Sequence, residues 1–269
     1  MSGFSAEWLT LREPYDLNSR NPTVIDAVAA ALEPLSSVRI VDLASGTGST
    51  IRALSPFLPA RQSWKLIDND LGLLARAAAT PRAKQVAATT IPLDLNRDLE
   101  AALDGPIDLV ATSALLDLVS ESWLDRLVVE IAARSMLFYA ALSYDGRTKL
   151  SPPDPLDAAI AAAVNIHQRT DKGFGPALGP AAAAFAINRF EALGYSVVHT
   201  TSDWVMGPDD FDIQTEVLDG WASAAHEVGA LSFADTTAWL TRRRGAVAAG
   251  LSSLSVGHVD FFAMPSATR

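Results

Sequence analysis

The stretch VDLASGTGST, residues 41–50, sets two glycines one residue apart, directly after an apolar run and directly before a helical pattern. Gly46 and Gly48 there permit positive φ and let the backbone approach a ligand closely. A helix starting near Thr50 would aim its free N–H groups and positive dipole end at the same spot. A phosphate, a carboxylate, or a tight turn with no ligand each suits that arrangement. Two carboxylates narrow the choice. Asp68 closes the next apolar run, 20 positions after Gly48, where a carboxylate accepts both hydroxyls of a ribose. Asp70 is better placed to cap the following helix, which leaves Asp68 without that task. Asp94 ends a third run in PLDL. It either accepts an exocyclic adenine amine or is a solvated loop residue.

The elements that must carry these residues read as β-α repeats. Short β-branched or apolar runs predict strands at 37–44, 63–68, within 84–95, from 106 and over 135–146, separated by helical patterns at 23–35, 50–58, 70–80 and 120–135. Ser120 and Asp70 are the expected N-caps of their helices. That alternation predicts an α/β fold, a parallel sheet with helices on both faces. After residue 146 the rhythm changes. Residues 151–180 hold five prolines around a helix at 156–168, and 147–180 reads as an insertion over the carboxyl edge of the sheet, where ligands sit in open α/β sheets. A helix at 180–193, a strand at 195–206, two helices over 211–249 and a last strand at 253–265 complete the chain as one domain.

Bulk properties exclude several classes. The chain has 269 residues, 49% hydrophobic and 19% charged, so it has apolar surface enough for a full core. Its net charge of −10 repels phosphate backbones, and the one dense basic run, Arg242–Arg244, is short. No nucleic-acid partner is expected. With no cysteine, thiolate metal sites and thiol nucleophiles are ruled out, and the four histidines show no zinc spacing, so no metal is expected. The first residues lack a basic and an apolar signal region, and charge-free stretches are broken by Gly and Pro. A cytoplasmic protein without a membrane partner follows.

The series VDLASGTGST, LIDND, PLDL and IDLVATSALLD resembles the motifs of class I S-adenosylmethionine-dependent methyltransferases, over about residues 20–145. The resemblance implies a Rossmann-like three-layer sandwich, with a mostly parallel seven-stranded sheet whose last strand is antiparallel. It also implies S-adenosylmethionine as cofactor and S-adenosylhomocysteine as product. Asp42, Ala44, Gly46 and Gly48 occupy the positions of the family's acidic residue and glycine loop, with Ala44 in place of the commoner glycine. On this resemblance Asp68, with Asn69 beside it, holds the ribose. Asp94 and the Leu95 amide read adenine, and Ser45, Gly46 and Gly48 border the amino-acid end. Ser113 lies by the methionine amine or sulfonium. Arg20 pairs with the cofactor carboxylate, a task Arg12 or a water would serve equally.

The implied reaction is methyl transfer to a small-molecule acceptor by in-line displacement. Two alternatives stay open: a module that binds the cofactor without transfer, and an NAD-linked reductase. The dinucleotide fingerprint GxGxxG disfavours the last, since its third glycine falls on bulky Ile51. An acceptor amine or hydroxyl can require a base. His167 and Tyr144, the latter next to Asp145, are the candidates, with Asp117, Asp171 and Lys172 as acceptor contacts. His167 reads equally as a helix C-terminal histidine whose charge favours the dipole. Trp8 and Tyr15 make residues 1–22 a candidate lid, or a docked tail. Helices 211–249 are apolar enough to hide a homodimer interface.

Overall fold

The β-branched run becomes β1 (Val38–Leu43), the central strand, buried along all but one of its positions. In the computed structural model, which describes residues 4–266, β2 (Gln62–Asp68) and β4 (Leu109–Ser113) flank it in parallel. Outside them lie β3 (Val86–Pro92) and β5 (Leu137–Ser151). The last strand, β8 (Ser253–Pro265), runs antiparallel between β5 and β6 (Tyr195–Thr201). The strand order is β3-β2-β1-β4-β5-β8-β6. The order reverses between β1 and β4, which opens a crevice at their carboxyl ends.

Strands covered on both faces need apolar residues on both, and the period of two distributes them. Phe138 and Phe261 enter the core beneath α6 (Glu121–Ala133) and α8 (Ala182–Ala192), with Trp123 and Phe190. Their neighbours Tyr139 and Phe262 enter the opposite core with Trp64 and with Val24 and Val28 of α2 (Pro22–Leu32). Asp70 and Ser120 cap α4 (Leu71–Ala79) and α6 as their types predict.

The expected strand 195–206 is cut at Ser202 and Asp203. The chain resumes as β7 (Trp204–Met206), which also pairs with β8, so the sheet has eight strands. Ser202 turns inward to donate to the buried Asp260 carboxylate at 2.5 Å. That carboxylate also accepts the amides of Asn21 and Leu142, at 3.0 and 2.7 Å. Leu142 sits at φ 55°, where the β5–β8 register shifts. Strand β5 runs on to Ser151, so segment 147–180 opens as sheet rather than loop. This long β5–β8 ribbon carries a third core. Trp204 and Tyr144 meet there with α7 (Asp157–His167), α9 (Phe211–Glu227) and α10 (Phe233–Ala248). Ahead of the sheet, α1 (Ala6–Ser19) is a helix with Pro14 inside it, capped by Ser5.

Candidate functional site

The glycine loop turns sharply after β1, with Ala44, Gly46 and Gly48 at φ 54°, 53° and 82°. An alanine in the left-handed region costs roughly 1–2 kcal/mol, a strain located at the sheet's crevice. At Gly46 a Cβ would reach Leu9 Cδ1 at 3.4 Å, because α1 lies down on the loop. The helix after the loop, α3 (Ser49–Leu54), is shorter than the pattern 50–58 implies, since residues 55–57 tighten into a 3-10 turn at Pro56. The Asp68 carboxylate fixes the loop from the next strand. Gly46 N–H donates to Oδ2 at 2.8 Å and Asp70 N–H to Oδ1 at 3.0 Å.

A cavity of about 540 Å³ opens there. Ala44, Ser45, Gly46, Asp68, Asn69, Asp94, Leu95 and Ser113 all stand on its wall, so these eight sequence-derived residues converge. Three others do not reach it. Gly48 caps α3 behind the loop. Arg20 is buried, donating to Tyr139 Oη at 3.1 Å and Ser113 Oγ at 2.8 Å. Ser113 Oγ lies 3.1 Å from Thr50 Oγ1 as well, so Arg20 positions a wall residue instead of forming the wall. Asp42 is fully buried within β1, and neither of its carboxylate oxygens has a hydrogen-bond partner.

Burial pushes the Asp42 carboxyl from 3.8 up to about 7, against the opposing pull of Thr50 and Arg20. The folded chain thus keeps a proton that the unfolded chain releases above about pH 4. The stabilisation is full below that pH and is lost as pH rises through about 7. Asp42→Asn cannot ionise. Its stability relative to the parent is expected to rise by about 2–3 kcal/mol between pH 5 and pH 9, read from urea unfolding of ligand-free protein. Parallel pH curves for the two chains would show that Asp42 is ionised throughout.

A second cavity, about 600 Å³, adjoins the first. Phe4, Arg12, Ala114, Leu118 and Lys172 stand on the walls of both. Asp117, Tyr144 and His167 line the second alone. Asp171 lines neither. Its Oδ1 accepts the amides of Gly173 and Gly175 at 2.7 and 3.0 Å, so it shapes its own glycine-rich loop. That loop presents Lys172 to both cavities and Phe174 to the first, and Phe174 packs edge-on against Trp123 at 5.2 Å. His167 Nε2 lies 3.0 Å from Glu227 Oε2. Tyr144 Oη donates to Asn165 Oδ1 at 2.8 Å. Burial, then Asp145 and Asp117, push the Tyr144 hydroxyl well above its ordinary range, so it stays protonated.

Residues that sequence reasoning passed over complete the walls. Asp16 chelates Arg12 at 3.0 and 3.1 Å and accepts Trp204 Nε1–H at 3.0 Å. The Arg12 guanidinium lies 4.9 Å from the Trp204 ring centroid, a cation–π geometry. The Arg12–Asp16 spacing of four on α1 was the readable signal. His258 lines the second cavity. Burial and Arg12 push it down to about 3, so the ring is neutral. Trp8 also lines that cavity, whereas Tyr15 is turned away to donate to Asp210 at 2.6 Å. Among the described residues no acidic or histidine cluster suits a metal ion, and no helix is long and apolar enough to cross a membrane.

A scan of protein-family models finds no match, and no curated protein matches either. Solved structures do. A cyclopropane-fatty-acyl-phospholipid synthase-like protein from Lactobacillus casei superposes with a TM-score of 0.54 at 15% identity, covering 97% of this chain and 94% of that one. The cyclopropane synthase MmaA2 from Mycobacterium tuberculosis gives 0.52 at 10% identity, with the same coverages of 97% and 94%. A SAM-dependent methyltransferase from Geobacter sulfurreducens, in complex with S-adenosyl-L-homocysteine, gives 0.43 at 17% identity, over 99% of this chain and 100% of that one. With the strand order above, the chain has the class I S-adenosylmethionine-dependent methyltransferase fold.

Proposed function

We propose that this chain, on its class I fold, binds S-adenosylmethionine in the first cavity and methylates a small molecule held in the second. The observation that carries the reading is the adjacency of two ligand-sized cavities with five wall residues in common. Both volumes fall in the range of small-molecule sites. The first cavity suits the cofactor's chemistry. The Asp68 carboxylate is oriented by two amides and keeps lone pairs free for a ribose diol. Asp94 is likewise set by the Asn96 amide at 3.0 Å, within reach of an adenine amine. The Leu95 amide and the edge of Phe174 complete that end, and Ser45, Gly46 and Ser113 border the amino-acid end.

When bound, the cofactor supplies an electrophilic methyl on a sulfonium. The chain's own residues orient and shield. Leu9, on α1, presses on the glycine loop and lines the first cavity, so α1 acts as the lid in this reading. Arg20 and Thr50 hold Ser113 in place. Asp42, behind them, tunes the same end without touching it. His167, braced by Glu227, and Lys172 contact the acceptor, and the Tyr144 hydroxyl, whose proton goes to Asn165, offers it an oxygen lone pair.

Calorimetry tests this directly. S-adenosylhomocysteine is expected to bind one per chain with a micromolar dissociation constant, and NAD is expected to give no heat. Absence of heat with the first, or heat with the second alone, overturns the reading. Binding together with release of labelled methyl into an acceptor separates an enzyme from a binding-only module.

A further inference from the structure

The second cavity has a largely apolar, aromatic lining: Trp8, Trp204 and Trp221 with Leu142 and Val217. Such walls accept rings. Into this lining the fold sets one buried carboxylate. Asp117 is 5% exposed, and its Oδ1 has no hydrogen-bond partner. A buried unpartnered acceptor is costly unless a ligand donates to it. Asp117 lies in the 3-10 turn Leu116–Leu118, between Ala114 and Leu118, which both stand on the walls of the two cavities. Asp117 thus stands on the wall of the second cavity, one residue before Leu118, which lines both.

We propose that the second cavity takes a planar, largely apolar acceptor methylated on a ring hydroxyl, and that Asp117 receives that hydroxyl's proton. This deepens the cofactor reading and rests on it. The acceptor O–H gives its proton to the Asp117 carboxylate. Its oxygen forms the bond to the methyl carbon while the carbon–sulfur bond breaks, and that electron pair stays on sulfur. The ether product and the neutral sulfide leave, and Asp117 releases its proton to water.

The surrounding charges select oxygen over an ammonium nitrogen. Arg12 and Lys172 are the cations that act on Asp117. Together they favour a developing oxyanion and oppose a second cation. Glu227 is engaged by His167, and Asp16 by Arg12, while Glu216 lies on α9 across the cavity. Burial raises Asp117 to about 6 even against Arg12 and Lys172, which makes it a stronger base than an ordinary carboxylate while leaving it ionised at pH 7. Tyr144 already holds its proton, and burial makes His258 a weaker base than Asp117, so neither takes up the acceptor's proton.

The test uses the full chain saturated with S-adenosylhomocysteine, whose own titration is recorded separately, so failure of the cofactor reading is seen on its own. Tryptophan quenching then reports binding of 2-naphthol, naphthalene and 2-naphthylmethylamine. 2-Naphthol is expected to bind at least tenfold more tightly than either of the others. Asp117→Asn should abolish the preference for naphthol over naphthalene. Lys172→Gln, on an exposed loop, should narrow the naphthol-to-amine gap at least threefold, and this variant decides the matter if Asp117→Asn fails to bind S-adenosylhomocysteine. An amine that binds as tightly as the naphthol, a preference that survives Asp117→Asn, or no ring binding at all would overturn the proposal.

Discussion

Asp68→Ala is expected to weaken S-adenosylhomocysteine binding by about a hundredfold or more while leaving the chain folded. The carboxylate has two jobs that fail together. It holds the glycine loop through the Gly46 amide and the turn into α4 through the Asp70 amide. In the proposed complex it also accepts two ribose hydroxyls. Each charge-assisted hydrogen bond contributes roughly 1.5–3 kcal/mol, so losing two removes at least about 3 kcal/mol, or two decades of affinity. Asp68→Asn keeps the volume and one acceptor, and an intermediate loss of about tenfold is expected. Calorimetry on the two variants, with circular dichroism as the folding check, measures the series. An alanine variant within threefold of the parent would remove Asp68 from the site.

The second large effect falls on stability. Asp260 is completely buried, and three donors from distant parts of the chain converge on it. Asn21 N–H comes from the start of α2, Leu142 N–H from the irregular point in β5, and Ser202 Oγ–H from the break between β6 and β7. Burial raises the carboxyl above its ordinary range, and the three donors hold it down. Asp260→Ala strands all three in the interior. At roughly 1–3 kcal/mol for each unsatisfied group, the loss is expected to exceed about 4 kcal/mol, a large part of the 5–15 kcal/mol that holds a typical domain together. Asp260→Asn preserves shape and should cost less, about 2 kcal/mol, by turning one acceptor into a donor. Urea unfolding followed by tryptophan fluorescence gives both numbers. A loss under about 1 kcal/mol in the alanine variant would mean that water satisfies those donors.

Local pattern made much of this molecule legible. The strand runs, the Asp70 and Ser120 caps and the last strand, 253–265, lie where their residue types place them, because each is decided by neighbours a few positions away. The residues at strand tips converge on one cavity for the same reason: in a parallel sheet, ending a strand fixes which edge a residue occupies. Depth behind that edge is not written locally. Asp42 is two residues short of the first loop residue that lines the cavity, and whether such a carboxylate faces a ligand or the core depends on how β4, Arg20 and Thr50 pack around it. Arg20 is captured by Tyr139 and Ser113, 119 and 93 positions away. Asp171 looked free to meet an acceptor, yet an aspartate two and four residues ahead of glycines closes its own turn first. His258 and Trp204 sat on expected strands, but the face they turn to is set by α7, α9 and α10, whose packing no short pattern encodes.

The lining shared by the two cavities has a thermodynamic corollary. In the proposed complex, Arg12, Leu118 and Lys172 would touch the occupants of both chambers. Any coupling between the two occupants is then reciprocal, with the same factor in both directions. Whatever methyl donor does for acceptor binding, acceptor must do for donor.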